Sequence, residues 1–579
     1  MANTAQTAKE QLKNVITQAI KSAIEKESLP NAELPEFIIE TPADRKNGDL
    51  ATNAAMAGAK SFRMAPFKIA QAITENINLE NTYFEKCETA GPGFINFFYS
   101  PAFYTSVLRD VETEKENFGR TDYGKGKKVM VEFVSANPTG PMHMGNARGG
   151  ALGDCLAAVL DHAGYSVWRE FYVNDAGNQI EKFGCSLEAR YLQIFKGDEI
   201  IFPEDGYQGA DITELAQEYA DINGDKLLDV SSEERKQALV DFALPKNISK
   251  MQADMAKYRI NYDKWFFESE LHNSGSVKAV VDLLTEKGLT YENGGALWYK
   301  NKEVVTNILK SQGKTDDYIE KLELKDDVLI RQNGNPTYFA ADIAYHKNKF
   351  DRGFDTCIDV WGADHHGHVM RMKGAMEAIG YDKDKLDVLL MQLVKLVRNG
   401  EVVKMSKRTG KAIQLGDLLE EVPVDSARFL FNTREANSQM DFDLDLAVTQ
   451  DNQNPVYYVQ YAHARICSIL KALESENIVA RICSDEELAL LTADEERELI
   501  HHISQFENEI NSSAKEYDPT KITRYVTQTA TLFHKFYNAC RVKGEDEKLM
   551  QARLTLCLAV KTVIKNILTM FNINCPEQM

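Results

Sequence analysis

The sequence has nine cysteines, at 87, 155, 185, 357, 467, 483, 540, 557 and 575, but no CxxC pair, and the number is odd. That spacing argues against a zinc ribbon or a fully paired disulfide framework and suits a reducing compartment, so no structural zinc is expected. Long apolar runs are also lacking. The most apolar stretch near the end, LTLCLAVKTVIKNILTMF, is broken by Lys561 and Lys565, short of the roughly 20 residues a membrane span needs. The first 26 residues interleave Lys and Glu with apolar residues at helical spacing, which is unlike a signal peptide. A cytoplasmic protein without a membrane partner is expected. Positive charge is in short supply too. With 67 Lys+Arg against 87 Asp+Glu the formal charge is -20, which as a single number argues against a polyanionic partner. The deficit is clumped, however: residues 198–234 carry -11 and residues 474–498 carry -7, so the remaining 517 residues stand at -2. A basic groove on them is compatible with the composition, and both acidic stretches are expected to face solvent away from it.

At 579 residues, 44% of them hydrophobic, the chain is too long for one core, and two to four domains are expected. Residues 1–115 read as a small α+β module: an amphipathic helix, an Ala-rich segment and the strand-like GPGFINFFYS. A polar, Gly-rich stretch at 116–127 reads as a linker. The run KKVMVEFV then leads through a Pro/Gly loop into a long Ala/Leu helix and a second strand, the pattern of a βαβ unit. The fold class expected for 116–445 is therefore α/β, with a Rossmann-like doubly wound parallel sheet and an acidic insertion near 180–245. Further strands are expected at 327–331, 356–362 and 388–397. From 446 to 579 the periods are helical, which predicts a C-terminal α-helical bundle.

Two loops carry the chemistry. Pro141, Met142, His143, Met144, Gly145 and Asn146 open the long helix, where unpaired N–H groups and the positive dipole end suit a phosphate, and Gly145 permits close backbone approach. About 260 residues later, Lys404, Met405, Ser406, Lys407, Arg408, Thr409 and Gly410 make a cationic loop suited to the charge that develops on transferring phosphates. Each string alone also fits a blander reading, a capped Gly turn or a solvated surface loop. A third element, VWGADHHGH, follows a predicted strand. Asp364 there suits a ribose hydroxyl, although Asp364, His365, His366 and His368 also form a cluster rich in metal-ligand types.

The two loops, in that order, resemble the HIGH-like and KMSKS-like motifs of the class I aminoacyl-tRNA synthetases. Asn146 stands where that pattern has its second His, and Arg408 where it has the final Ser. Over nearly the whole chain, the strings VEFVSANPTGPMHMGNARGGALGD, REFYVNDAGNQI, TYFAADIAYH, WGADHHGH and SARFLFNTREANSQMDFDLDLA resemble the arginyl-tRNA synthetase family. The resemblance implies His143, Asn146, Lys404 and Lys407 as the catalytic set. It implies ATP, with Mg²⁺, at His143, Gly145, Asn146, Gly362, Asp364, His368, Met405 and Lys407. It implies arginine at Glu132, Ser135, Asn137, Tyr338 and Asp342. Carboxylates, an amide and an aromatic face are what a planar guanidinium requires, yet singly Glu132 and Asp342 read equally as ion-pair partners of protein Lys or Arg, and Tyr338 as core. The implied partners are tRNA(Arg), L-arginine and ATP, and the implied state is a monomer. The N-terminal module, through Phe94 and Asn96, and the C-terminal helices, through Tyr457, Tyr461, Arg465, Tyr537 and Arg541, are the regions implied to hold tRNA. Residues 501–579 carry ten bases and eight acids, a composition suited to stacking on unpaired bases. Two rivals stand beside this reading. A nucleotidyltransferase making a small-molecule adenylate shares the two loops but is usually short, and a non-catalytic paralogue is expected to lose His143 or Lys407.

Overall fold

The computed structural model describes residues 3–33, 36–42, 44–403, 413–544 and 546–579. The chain opens with helix Thr4–Glu25, which buries Ala5, Ala8, Leu12, Ile16, Ala19 and Ala23 at helical spacing. This stripe packs against helices Pro66–Thr74 and Pro101–Glu114, which in turn contact an antiparallel sheet, order β1-β2-β4-β3, made of β1 (Ile39–Glu40), β2 (Leu50–Thr52), β3 (Phe84–Ala90) and β4 (Phe94–Tyr99). The stretch 116–127 is tied down: the N–H groups of Thr121, Gly124 and Gly126 donate to the carbonyls of His162, Ala163 and Gly164.

The centre is a five-stranded parallel sheet of order β12-β11-β5-β6-β7: β5 (Lys128–Glu132), β6 (Ser166–Val173), β7 (Lys264–Phe267), β11 (Thr356–Gly362) and β12 (Leu386–Met391). The order reverses between β5 and β11, which opens a crevice at their carboxyl ends, where doubly wound sheets bind ligands. Helix Met144–His162 joins β5 to β6 and is buried continuously from Asn146 to Leu160. Its glycines make this possible: a Cβ on Gly153 would lie 2.2 Å from the Phe133 ring, and one on Gly150 2.8 Å from Ile260.

Two expectations for strands need correction. Residues 327–330 form β10, which pairs antiparallel with β9 (Ala296–Tyr299) beside β8 (Thr290–Asn293), outside the parallel sheet. The run 388–397 is two strands, broken at Gln392 and Leu393. Only β12 joins the parallel sheet, while β13 (Val394–Arg398) pairs with β14 (Glu401–Val403) and β15 (Met440–Asp443). An apolar run carries no mark of which edge it will join, so register and sheet choice were invisible in it.

The acidic stretch lies within a helical cluster of its own, with Phe183, Leu187, Tyr191, Ile212 and Leu239 as core. After β15 the described chain is helical. Buried Arg428 fastens this last part to the sheet: it donates to the carbonyls of Phe571 (2.7 Å) and Tyr258 (3.0 Å) and pairs with Asp154, to which Arg169 also donates at 3.0 Å.

Candidate active site

A cleft of about 910 Å³ lies at the switch point. On one side, His143 is the N-cap of helix Met144–His162. Its Nδ1 accepts the Gly145 N–H at 3.1 Å, and the Asn146 Oδ1 accepts the His143 N–H at 2.8 Å, a reciprocal capping pair. Because Nδ1 accepts, the proton of the neutral ring sits on Nε2, which is left as a donor for a ligand. Burial holds the His143 pKa below its ordinary value, consistent with a neutral imidazole. Asn146 thus has a structural task here, fixing the backbone of the residue that carries the imidazole.

The expected Lys404, Met405, Lys407 and Arg408 fall outside the described residues, but both ends of their loop are in place. Strand β14 ends at Val403, and beyond the loop Gln414 bridges His143 while the Leu415 N–H donates to the Met142 carbonyl at 2.9 Å. The segment that follows the loop, from Gln414 on, is therefore held against the His143 loop. Buried Arg148 reinforces this arrangement from below, donating to the carbonyls of Gln392 (2.7 Å), Ser438 (3.0 Å) and Glu435 (2.8 Å), at the joint between β12 and the strands that carry the loop.

At the other end the chain leaves β5 through two non-glycine residues with positive φ, Val134 (73°) and Ser135 (32°), an unfavourable path for a β-branched residue that is held by its surroundings. It turns Ser135 so that Oγ donates to Glu132 at 2.7 Å and accepts the Tyr172 N–H at 3.1 Å. Glu132, Ser135, Asn137 and Asp342 all line the cleft, with Gly362, Asp364 and His368 facing them. The Asp342 carboxylate accepts from His368 Nε2 at 3.0 Å. Tyr338, one turn before Asp342, is not in the cleft wall; its ring stands by Gly177. The aromatic faces of the wall come instead from Tyr172, Tyr207, Tyr345 and Trp361. None of these four was expected, because nothing local distinguishes a wall aromatic from a core one.

A further correction concerns the acidic stretch 198–234. Tyr207, Gln208, Gly209 and Asp211 line the cleft beside Gly140, so this segment does not stand wholly clear of it. Its more remote acids, including Glu204, Asp205, Glu214 and Glu218, are exposed. The second acidic stretch lies elsewhere, with Asp485 and the Cys483 carbonyl held by Arg109 of helix Pro101–Glu114.

The residues implied for tRNA divide. Tyr457, Tyr461 and Arg465 share one helix face and, with Tyr458, His534 and Asn538, line a second cleft of about 700 Å³, with the Arg465 guanidinium 4.7 Å from the centre of the Tyr537 ring. Arg541 is exposed beyond the end of helix Thr520–Ala539. Asn96, by contrast, is buried between β2 and β3, and Phe94 is half-buried at the end of β4.

A crevice at the switch point of a doubly wound sheet, with a His-capped helix at its edge, is the architecture of the class I aminoacyl-tRNA synthetases, and residues 108–466 match the family model "tRNA synthetases class I (R), catalytic domain". Residues 10–99 match "Arginyl tRNA synthetase N terminal domain" and 459–579 match "DALR anticodon binding domain". The chain belongs to the arginyl-tRNA synthetase family. It is 52% identical over 581 residues to a protein named Arginine–tRNA ligase from Acetivibrio thermocellus and 55% identical over 581 residues to one of that name from Caldanaerobacter subterraneus subsp. tengcongensis, with 100% of both chains covered in each case. The structure of Thermus thermophilus arginyl-tRNA synthetase shares its fold, with a TM-score of 0.71 at 22% identity over 97% of this chain and 99% of that one.

Proposed function

We propose that this chain attaches arginine to tRNA(Arg) in two steps. A carboxylate oxygen of arginine attacks the α-phosphorus of ATP, which enters as its Mg²⁺ complex, and pyrophosphate leaves. A hydroxyl of the terminal adenosine of tRNA then attacks the arginyl carbonyl, and AMP leaves. Neither step needs a protein nucleophile, so the chain acts by positioning and by placing charge. The observation that carries the reading is the polarity of the main cleft: the Glu132 and Asp342 carboxylates with Asn137 at one end suit a guanidinium, and the His143 donor at the other, to which Gln414 is bridged, suits phosphates. In this reading Gly145 and Asn146 hold the backbone that meets the triphosphate. Gly362, Asp364 and His368 meet the nucleoside, Met405 and Lys407 close on it, and Ser135 fixes Glu132.

Residues 1–115 form a tRNA-binding module, 116–445 the catalytic domain and 446–579 the anticodon-binding domain, whose second cleft receives unpaired bases. The enzyme works as a cytoplasmic monomer; no helix among the described residues is long and apolar enough to cross a membrane. Charging of total tRNA with each of the twenty amino acids tests the function: arginine alone should be transferred, and transfer of another amino acid in its place refutes it.

A further inference from the structure

Strands β5 and β11 run parallel in a register that sets Glu132 directly beside Asp359, two buried carboxylates on neighbouring strands. Like charges so placed disfavour each other's ionised form, and burial adds to the effect. Lys349, near the end of helix Tyr338–Asp351, reaches both. Its side chain is fully buried, and its Nζ donates to Asp359 Oδ1 at 2.7 Å and to the Glu132 carboxylate. His346, one turn earlier, lies with Nε2 2.8 Å from Asp359 Oδ2 and Nδ1 2.8 Å from the Asp342 carbonyl. Lys349 and the His346 ring thus both meet the carboxylate pair, and the network reaches the cleft at Glu132 and at Asp342.

Stability alone gives no reason to keep such a set, because well-packed apolar residues replace buried ion pairs with little or no loss. Its value lies at the end that meets ligand. We propose that Lys349 is a positioning residue for arginine recognition: from behind the cleft wall it fixes Glu132 in orientation and as an anion, so that the pocket selects a guanidinium over its neutral urea counterpart. This rests on the arginyl reading above. The groups facing Glu132 are Lys349 and Tyr345 of the helix, Asp359 and Cys357 of β11, Tyr172 of β6, and Tyr262. Among these six Lys349 supplies the positive charge. Burial pushes the Glu132 carboxyl up, Lys349 pulls it back, and Asp359 pushes it up again. The carboxyl stands above its ordinary value even so; without the ammonium, burial and Asp359 push it further towards the neutral form, in which a guanidinium meets a donor in place of an acceptor.

The test is arginine-dependent ATP–pyrophosphate exchange by the full chain at saturating tRNA, with citrulline as the neutral competitor. Lys349→Met should raise the arginine KM about 100-fold with the ATP KM unchanged, lower the preference for arginine over citrulline by about 10-fold or more, and be partly rescued by Lys349→Arg. The pH profile has a definite sign. The arginine KM of Lys349→Met should fall more steeply with rising pH than that of wild type, because loss of the ammonium leaves the Glu132 carboxyl further towards its neutral form. An unchanged arginine KM, or a lower kcat with the citrulline preference and pH profile intact, overturns the proposal. Removing one member of a buried pair can unfold a protein, so the double variant Glu132→Gln/Lys349→Met, which leaves Asp359 matched by His346, gives a second arm. Its arginine KM should equal that of Glu132→Gln alone, and a further additive rise overturns the proposal. Wild-type exchange supported by a different amino acid defeats the arginyl reading itself, a result distinct from all of these.

Discussion

In the cleft at the ends of β5 and β11, the charged side chains are bound to one another before any ligand arrives: Glu132 to Lys349 and Ser135, Asp342 to His368, and Asp359 to Lys349 and His346. The cleft between helices Pro455–Glu474 and Thr520–Ala539 is furnished differently. It offers the rings of Tyr457, Tyr458, Tyr461 and His534 and a guanidinium laid over Tyr537. The first arrangement suits a small ligand of fixed charge, because prepaired groups lose little freedom when it binds and penalise a wrong charge. The second suits unstacked bases, which share a flat face whatever their sequence and tolerate adjustable partners. The same contrast appears in protonation. Lys349 and His346 hold the Asp359 carboxyl down at about 2 despite its burial. In the helical part, desolvation lifts Glu507 to about 7, with Glu114 and Asp110 nearby adding to the rise.

The largest expected effect falls on the cationic loop. Lys407→Ala should lower kcat for arginine activation by about 1,000-fold with little change in arginine KM, since its contact strengthens in the transition state. A pure KM effect would mean that Lys407 binds the ground state equally well. Next, Asp342→Ala should raise the arginine KM by about 100-fold and leave the tRNA KM alone; unchanged arginine affinity removes Asp342 from the pocket. Arg465→Ala should do the reverse at smaller size, raising the tRNA KM by about 10-fold with the arginine KM untouched, as expected for loss of one stacked contact. Equal effects on both substrates would erase the division of labour. The smallest effect concerns Glu507. Its folded pKa lies above the unfolded value of 4.5, so the native state holds a proton that the unfolded state has released, and stability falls as pH rises from about 4.5 to 7. Glu507→Gln should therefore match wild type near pH 4 and exceed it by about 1–2 kcal/mol at pH 8 in denaturant titrations. A pH-independent difference would contradict the sign.

Much of the site was legible because its parts are local. His143 and Asn146 are three residues apart at the start of a helix, and a cap box is a sequence pattern before it is a contact. Gly362 and Asp364 occupy one turn. The wall residues Tyr172, Tyr207 and Trp361, and the buried Glu268 that accepts from the Tyr172 hydroxyl at 2.9 Å, left no such trace, since each sits singly in a strand, loop or helix start resembling many others. The acidic stretch was misjudged for a related reason: charge density reports exposure on average, and it does not report that Tyr207 to Asp211 would fold back over Gly140.

The sequence by itself determined the family, the order of the two chemical loops, and the α/β centre with a helical end, because these follow from composition, period and short motifs. Tertiary structure alone decided what those side chains are bound to. Lys349 lies 217 residues from Glu132 and 10 from Asp359, and it serves both only because β5 and β11 meet in the register that places the two carboxylates side by side. Register between distant strands is set by how the whole sheet packs, and no segment of the chain records it.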